Sequence, residues 1–371
     1  MNSNRLLHTQ ALYLAFLLTL QTSDATSAPP DNLRVMTDFD RKEILVSGSN
    51  LGEGPNILLY DTFDTSSSVA GEQLPKKASL IGEWTEFNQY YLPMFSDYGR
   101  SGSHSFEAFD GETQETRILH LRFDGTQEVF VSYWVYLQGP DYFPGDFTSA
   151  PRTFSDDSSF KMLWLFDSDV RGYSSDVSLP THVGGGRFHL SGNDGNLVTK
   201  IGNNWWSWDH WMRLSFWVKA DPENPTAPGI IHFDTLSKDK GYQERIYNVS
   251  IFDEDGPATK QFREITVPGW VRSIQNSSTN LLYDDIYVST GPNAAARVEL
   301  GNAASLGEVT QLELLKIESW SETSIRATAP TVNKEDFKNL YLYITTKDGV
   351  TNEKGIPLIT PPAQIENIEV D

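Results

Sequence analysis

Two stretches of the chain alternate in a way that predicts strands with two different faces. In Val129–Gln138 one face carries Val129, Val131, Tyr133 and Val135, and the other carries Phe130, Ser132, Trp134 and Tyr136. In Trp211–Lys219 one face carries Met212, Leu214, Phe216 and Val218, and the other carries Trp211, Arg213, Ser215, Trp217 and Lys219. Side chains alternate across a strand with period 2, so the aliphatic faces are predicted to form a core.

The second faces mix rings with hydrogen-bonding groups, where an ordinary half-exposed strand would carry Lys, Glu and Thr. A ring can pack on the C–H face of a sugar while polar groups take its hydroxyls. Four residues are therefore candidates for binding a carbohydrate substrate: Trp134, Trp211, Arg213 and Trp217. An alternative is that the same rings fill a second core layer, because aromatic residues are common in strands without any ligand.

Two further stretches add basic residues to the predicted sheets. Phe160–Phe166 contains Lys161, and Gly186–Ser191 contains Arg187 and His189 on one face of the same predicted strand. The rings and these basic groups together predict one concave face lined by Trp134, Trp211, Trp217, Arg187 and His189.

The first 25 residues have the pattern of a secretory signal peptide. Arg5 and His8 precede the apolar run Ala11–Leu20, and the small residues around Ala25 suit cleavage. A run of this length is too short to span a bilayer. We therefore expect an exported protein without membrane insertion.

Composition limits the classes of chemistry and partner. The chain has no cysteine, which excludes thiol catalysis and iron–sulfur sites. Its formal net charge is −21, with 50 acidic and 29 basic residues, which argues against nucleic acid as a partner. No organic cofactor is expected, and the oligomeric state is left open.

Short strand-like runs separated by Gly, Asn, Asp and Pro clusters predict an all-β fold. Only Lys334–Leu340 has a helical pattern. The elements "SGSNLG" (47–52), "SWSETSIRATAP" (319–330) and "YLYITTKDGVTNEKG" (341–355) resemble, in that order, immunoglobulin-like TIG/IPT domains. The first element is far from the others in sequence, which predicts a small sandwich interrupted by a larger domain.

In the intervening segment, "HWMRLSFWVKA" (210–220) and "LYDDIYVS" (282–289) resemble strands of concanavalin A-like jelly rolls. That is the fold of lectins, laminarinase-type hydrolases and several polysaccharide lyases. The predicted organisation is a signal peptide at 1–25, a discontinuous immunoglobulin-like domain at 26–59 and 293–371, and a jelly roll at 60–292.

The jelly-roll resemblance implies either hydrolysis or β-elimination. A retaining hydrolase needs two carboxylates about 5–5.5 Å apart, and no central strand carries a matching acidic triplet. A lyase of this fold needs a cationic group for the uronate carboxylate, a base and an acid. The resemblance therefore implies His189, Arg187, Lys161 and Tyr136 as catalytic candidates.

Four aspartates are expected at the junction where the chain enters and leaves the jelly roll: Asp61, Asp64, Asp284 and Asp285. Carboxylate oxygens gathered there would suit a structural Ca²⁺. The alternative is that these residues cap strand ends and face water.

Three functional hypotheses remain from the sequence. The protein is a secreted polysaccharide lyase, a non-catalytic glycan-binding module, or an extracellular structural or adhesive subunit. All three place it outside the cell, and the first two make a polysaccharide its partner.

Overall fold

A computed structural model describes residues 30–359 except 66, 89, 101, 103, 111–114, 138–158, 167–176, 183–186, 191–198, 202–206, 208, 253–259 and 273–279. For 137, 159–161, 177–182, 187–190, 199–201, 270 and 272 it describes the backbone only. The predicted signal peptide lies outside the described residues.

The described chain is built almost entirely of strands. In chain order they are β1 (Asp31–Asp38), β2 (Glu43–Ser49), β3 (Asn56–Asp61), β4 (Glu86–Phe87), β5 (Met94–Ser96), β6 (Ser105–Asp110), β7 (Glu115–Thr116), β8 (Leu119–Thr126), β9 (Glu128–Leu137), β10 (Ser159–Phe166), β11 (Val177–His182), β12 (Arg187–Leu190), β13 (Thr199–Ile201), β14 (Met212–Lys219), β15 (Pro228–Ser237), β16 (Gly241–Ser250), β17 (Phe262–Val267), β18 (Trp270–Arg272), β19 (Leu281–Thr290), β20 (Arg297–Gly301), β21 (Leu312–Leu314), β22 (Lys316–Ser321), β23 (Ser324–Thr328), β24 (Tyr341–Thr345) and β25 (Ile356–Pro357). A short helix, α1 (Lys334–Phe337), begins where the sequence predicts one, and Leu306–Glu308 forms a 3₁₀ turn.

Two antiparallel sheets pack face to face to form a large sandwich. One has eight strands in the order β13-β12-β11-β10-β17-β8-β4, with β18 also paired to β10. The other has nine strands in the order β16-β15-β14-β9-β19-β6-β5, with β3 paired to β19 and β7 to β6. The all-β jelly-roll prediction is confirmed.

The core of this sandwich lies between the two sheets, and the alternation of β9 and β14 decides what enters it. Val131 and Tyr133 of β9 and Leu214 and Phe216 of β14 are fully buried in one cluster with Leu165 of β10. The other faces of β9 and β14 consequently point away from this core.

A smaller unit consists of two four-stranded sheets, β1-β2-β23-β22 and β21-β20-β24-β25. Its separate core includes Ile44, Val46, Leu300, Ile325 and Leu342. Strands from before and after the large sandwich thus share one core, and β3, which begins at Asn56, already belongs to the nine-stranded sheet. The TIG-type assignment of this unit stays a prediction.

The smaller unit covers the outer face of the nine-stranded sheet. Trp134 of β9 packs with Leu312 and Tyr343 of the smaller unit, and the Tyr60 hydroxyl donates to the Leu314 carbonyl at 2.8 Å. A Cβ at Gly349 would come within 2.6 Å of the Trp217 ring, so only glycine fits this close approach. Among the described residues, no helix is both long and apolar enough to cross a membrane.

Candidate functional site

A cluster of charged side chains lies on the outer face of the eight-stranded sheet. In β8, Leu119 and Leu121 enter the core, so His120 and Arg122 alternate onto the other face. The antiparallel register places Arg122 opposite Glu264 of β17. Three neighbouring strands therefore contribute to the cluster, because Glu86 of β4 lies opposite His120.

Glu264 is the centre of this cluster. Its Oε1 lies 2.8 Å from Nδ1 of His120, and its Oε2 accepts from Nε of Arg122 at 2.9 Å. Arg122 also contacts Glu86 at 3.0 Å through Nη2. The Glu264 and His120 side chains are only 3% and 7% exposed, whereas Arg122 is 40% exposed. Arg122 is thus the accessible cation of a cluster whose inner members are fixed.

Aromatic rings lie on the next strand of the same sheet. In β10, Trp164 is paired with Thr266, and Phe166 is paired with Glu264. The two rings meet edge to face, with centroids 5.2 Å apart and an interplanar angle of 84°. The outer face of the eight-stranded sheet thus combines rings, an imidazole, a guanidinium and a carboxylate.

The environment of Glu264 makes the stability of the fold depend on pH. Burial opposes ionisation, but the hydrogen bonds from His120 and Arg122 and their charges together lower the pKa of Glu264. A carboxyl whose pKa is lowered on folding adds stability above its unfolded pKa of about 4.3 and loses it as pH falls through the folded value.

We therefore expect Glu264→Gln to destabilise the protein most at pH 5–7. The difference in unfolding free energy between the parent and the variant should shrink as pH falls below about 4, because protonation then removes the same charge from the parent. Urea unfolding of both proteins at a series of pH values measures this difference. A difference that stays constant from pH 7 to pH 3 would contradict the role assigned to this carboxylate.

Three of the predicted catalytic residues lie on strands of this same sheet, although their side chains are outside the described part. Lys161 is on β10, where its Cα pairs with Pro180 and Trp270. Arg187 and His189 are on β12, and His189 pairs with Lys200 of β13. Three strand spacings, roughly 14 Å, separate β12 from the Glu264 strand.

The predicted concave face that joins these residues to the tryptophans is wrong. Trp134 and Trp217 are on β9 and β14 of the nine-stranded sheet, whereas Arg187 and His189 are on the other sheet. Trp134 and Trp217 are 5% and 4% exposed, because the smaller unit covers them. They belong to the second core layer that the sequence left as the alternative.

Arg213 is also buried in this covered face, at 1% exposure. Its Nη1 donates to Glu299 of the smaller unit at 2.5 Å, and its Nη2 donates to Asp234 at 3.2 Å. The guanidinium joins two packed units, so its expected role in substrate binding is corrected to an interface ion pair.

Tyr136 and Trp211 lie at the rim of the nine-stranded sheet. Tyr133 and Val135 are in the core, so Tyr136 is on the outer face, where its ring is 5.6 Å from that of Trp211. The expected convergence of Tyr136 with Lys161, Arg187 and His189 is wrong, because those residues lie on the opposite sheet.

The four aspartates do not form a cation site, and no group of three or more potential metal-ligating residues exists in the part of the chain that the structure describes. Asp61 accepts from the backbone N–H groups of Phe63 and Ser79 and, at 2.9 Å, from Nε1 of Trp84. The other three carboxylates have protein partners as well: Asp64 accepts from the His104 N–H at 3.1 Å, Asp284 from the Arg100 N–H at 2.8 Å, and Asp285 from the Arg100 guanidinium. The expected structural Ca²⁺ itself stays a prediction.

The cluster around Glu264 contains residues that the sequence interpretation missed. The signal was present in Leu119–Phe123, where His120 and Arg122 alternate with apolar residues, and in Glu264–Val267, where Glu264 and Thr266 do so. Each segment alone looks like an ordinary half-exposed strand. Only the pairing of β8 with β17 shows that these polar residues meet.

No protein-family model matches the chain, and no curated protein matches it. Among solved structures, it is similar to a marine PL-14 alginate lyase from Aplysia kurodai, with a TM-score of 0.40 and 10% identity over 61% of this chain and 100% of that chain. It is also similar to the alginate lyase Aly36B, with a TM-score of 0.39 and 10% identity over 63% of this chain and 97% of that chain. A third similarity is to domain 4 of AbnA, a GH43 extracellular arabinanase from Geobacillus stearothermophilus, with a TM-score of 0.35 and 14% identity over 64% of this chain and 94% of that chain.

Proposed function

We propose that the protein binds an acidic polysaccharide through the outer face of the eight-stranded sheet. The observation that carries the proposal is a segregation of charge between the two sheets. The strands of the eight-stranded sheet hold six basic residues, Arg122, Lys161, Arg187, Lys200, Arg263 and Arg272, against three acidic ones, Glu86, Asp124 and Glu264. They also hold His120, His182 and His189, three of the seven histidines in the chain.

The nine-stranded sheet has the opposite balance. Its strands carry nine acidic residues and only three basic ones, Arg213, Lys219 and Arg245. In a chain with a formal charge of −21, a local basic surface attracts an anionic ligand against the overall field. The smaller unit packs on the nine-stranded sheet, so the basic sheet faces away from it.

The cluster around Glu264 supports a sugar as the ligand. Exposed Arg122 can pair with a carboxylate, and the neighbouring Trp164, which is partly exposed and packs edge to face on buried Phe166, supplies a ring for the C–H face of a pyranose. The N-terminal pattern at 1–25 supports export, which would bring the protein to extracellular polysaccharides.

Calorimetric titration with alginate, polygalacturonate and hyaluronan, and with neutral laminarin and dextran, tests the proposal. We expect binding to at least one uronate polymer that weakens as salt rises, because screening reduces charge attraction. Arg122→Ala should weaken it about tenfold, which corresponds to about 1.4 kcal/mol. Arg245→Ala, an exposed arginine on β16 of the other sheet, is the matched control and should bind like the parent.

Binding only to neutral polymers would contradict the proposal, as would equal losses in the Arg122 and Arg245 variants. Failure to bind any of the three uronate polymers would also reject it.

A lyase is the second candidate, and the contact between His120 and Glu264 is the observation that favours it. A carboxylate on one ring nitrogen orients an imidazole for proton transfer. In β-elimination a base takes the proton beside the uronate carboxylate, a carbon–carbon double bond forms, the bond to the glycosidic oxygen breaks, and an acid protonates the leaving oxygen. Unsaturated ends detected by ultraviolet absorbance would support catalysis. Binding without such products would identify a glycan-binding module.

A further inference from the structure

Three aromatic rings form a compact group on the outer face of the nine-stranded sheet, far from the basic surface. Tyr98 follows β5, Tyr136 is near the end of β9, and Trp211 immediately precedes β14. The Tyr98 and Trp211 rings are nearly parallel, at 10°, with centroids 6.1 Å apart. The Tyr136 ring lies 4.8 Å from Tyr98 and 5.6 Å from Trp211. We call these three residues the aromatic triad.

Tyr98 is the accessible member of the triad, with 49% of its surface exposed. Tyr136 and Trp211 are only partly exposed, and their rings pack against the ring of Tyr98. Trp211 in turn packs against the smaller unit through the cluster that contains Val309 and Leu312. The exposed ring is therefore held by two others and by the contact between the two units, which fixes its orientation before any ligand arrives.

The polar groups beside the triad indicate the chemistry of the ligand. Exposed Asp209 and His210 directly precede Trp211 and can hydrogen-bond hydroxyls. Burial, together with Tyr98 and the negative charge of Asp209, raises the pKa of Tyr136 to about 12, so its hydroxyl stays neutral. A carboxylate beside the rings disfavours an anionic ligand and is compatible with a neutral one.

We infer that the aromatic triad is a second carbohydrate site, which takes a neutral pyranose by stacking its C–H face on Tyr98. Tyrosine and tryptophan rings beside hydrogen-bonding groups suit this ligand. The site and the basic surface lie on opposite sheets, so they are separate sites. The inference does not depend on the proposed function of the basic sheet.

Calorimetric titration with neutral hexaoses (cellohexaose, xylohexaose, mannohexaose and laminarihexaose) tests this site. At least one should bind, and Tyr98→Ala should weaken it about tenfold, since the stacked ring is lost. Tyr98→Phe keeps the ring and should bind within about twofold of the parent, a difference worth only about 0.4 kcal/mol. Tyr90→Ala removes a more exposed tyrosine outside the triad and should leave the affinity unchanged.

The inference is overturned if none of the hexaoses binds, if Tyr90→Ala weakens binding as much as Tyr98→Ala, or if Tyr98→Phe does so. Arg122→Ala separates this site from the basic surface, because it should lower uronate binding and spare hexaose binding. If uronate polymers bind and the hexaoses do not, the inference of a second site is rejected and the proposed function of the basic surface is kept. Near-ultraviolet circular dichroism and melting curves verify that each variant is folded.

Discussion

Replacing Arg213 by alanine should lower the free energy of unfolding by about 3–5 kcal/mol, because removing one partner of a buried ion pair leaves uncompensated charge. Arg213 is 1% exposed and bridges Glu299 and Asp234. Although burial alone would raise it, the charges of Arg213 and Arg297 hold the pKa of Glu299 below its usual value. Without Arg213, Asp234 loses its guanidinium partner, and Glu299 keeps only Arg297, at 3.0 Å.

Arg326→Ala is the matched control for this experiment. Arg326 contacts Glu43 at 2.6 Å but is 57% exposed, so its loss should cost less than about 1 kcal/mol. Equal costs for the Arg213 and Arg326 variants in urea unfolding would show that the network is not buried in solution.

Trp134→Ala should cost about 3–5 kcal/mol of stability and leave the affinity of the folded protein for polysaccharides unchanged. Trp134 is 5% exposed, packs with Leu312 and Tyr343, and has the Arg100 guanidinium 4.4 Å from its ring centroid. Truncation would leave a cavity between the two units and an arginine without its aromatic neighbour.

Unfolding and binding measured on the same variant distinguish a buried ring from a ligand-binding ring. If Trp134 lined an open groove, alanine would weaken binding and change stability little. Ile246→Ala, at a side chain that is 60% exposed on β16, is the control and should alter stability by no more than about 0.5 kcal/mol. A Trp134 variant that keeps its stability and loses its ligand would restore the groove hypothesis.

The Glu264 cluster shows why sequence interpretation could not locate the candidate site. His120 and Glu264 are 144 residues apart and meet only because β8 pairs with β17 in one register. A slip of one residue in either strand would place these side chains in the core. Neither segment carries information about the partner strand on its own.

The aspartates show the same limit for a proposed ion site. The sequence placed Asp61 and Asp284 near the point where the chain enters and leaves the sandwich, and they lie at the end of β3 and within β19. Whether their oxygens were available for Ca²⁺ depended on Trp84, Ser79 and Arg100, which no local pattern connects to them.

The sequence by itself determined the strands, the all-β class and the inner faces of β9 and β14, because alternation with period 2 is a local property that survives in any sheet. Only the tertiary structure decided whether the outer faces of these strands are covered or exposed. The same mixture of rings and polar groups suits a ligand groove or a packed interface, and the smaller unit covers Trp134, Trp217 and Arg213 while leaving Tyr98 half exposed. Which surface is covered depends on contacts between residues distant in the chain. The free energy of those contacts cannot be derived from the sequence of any single strand.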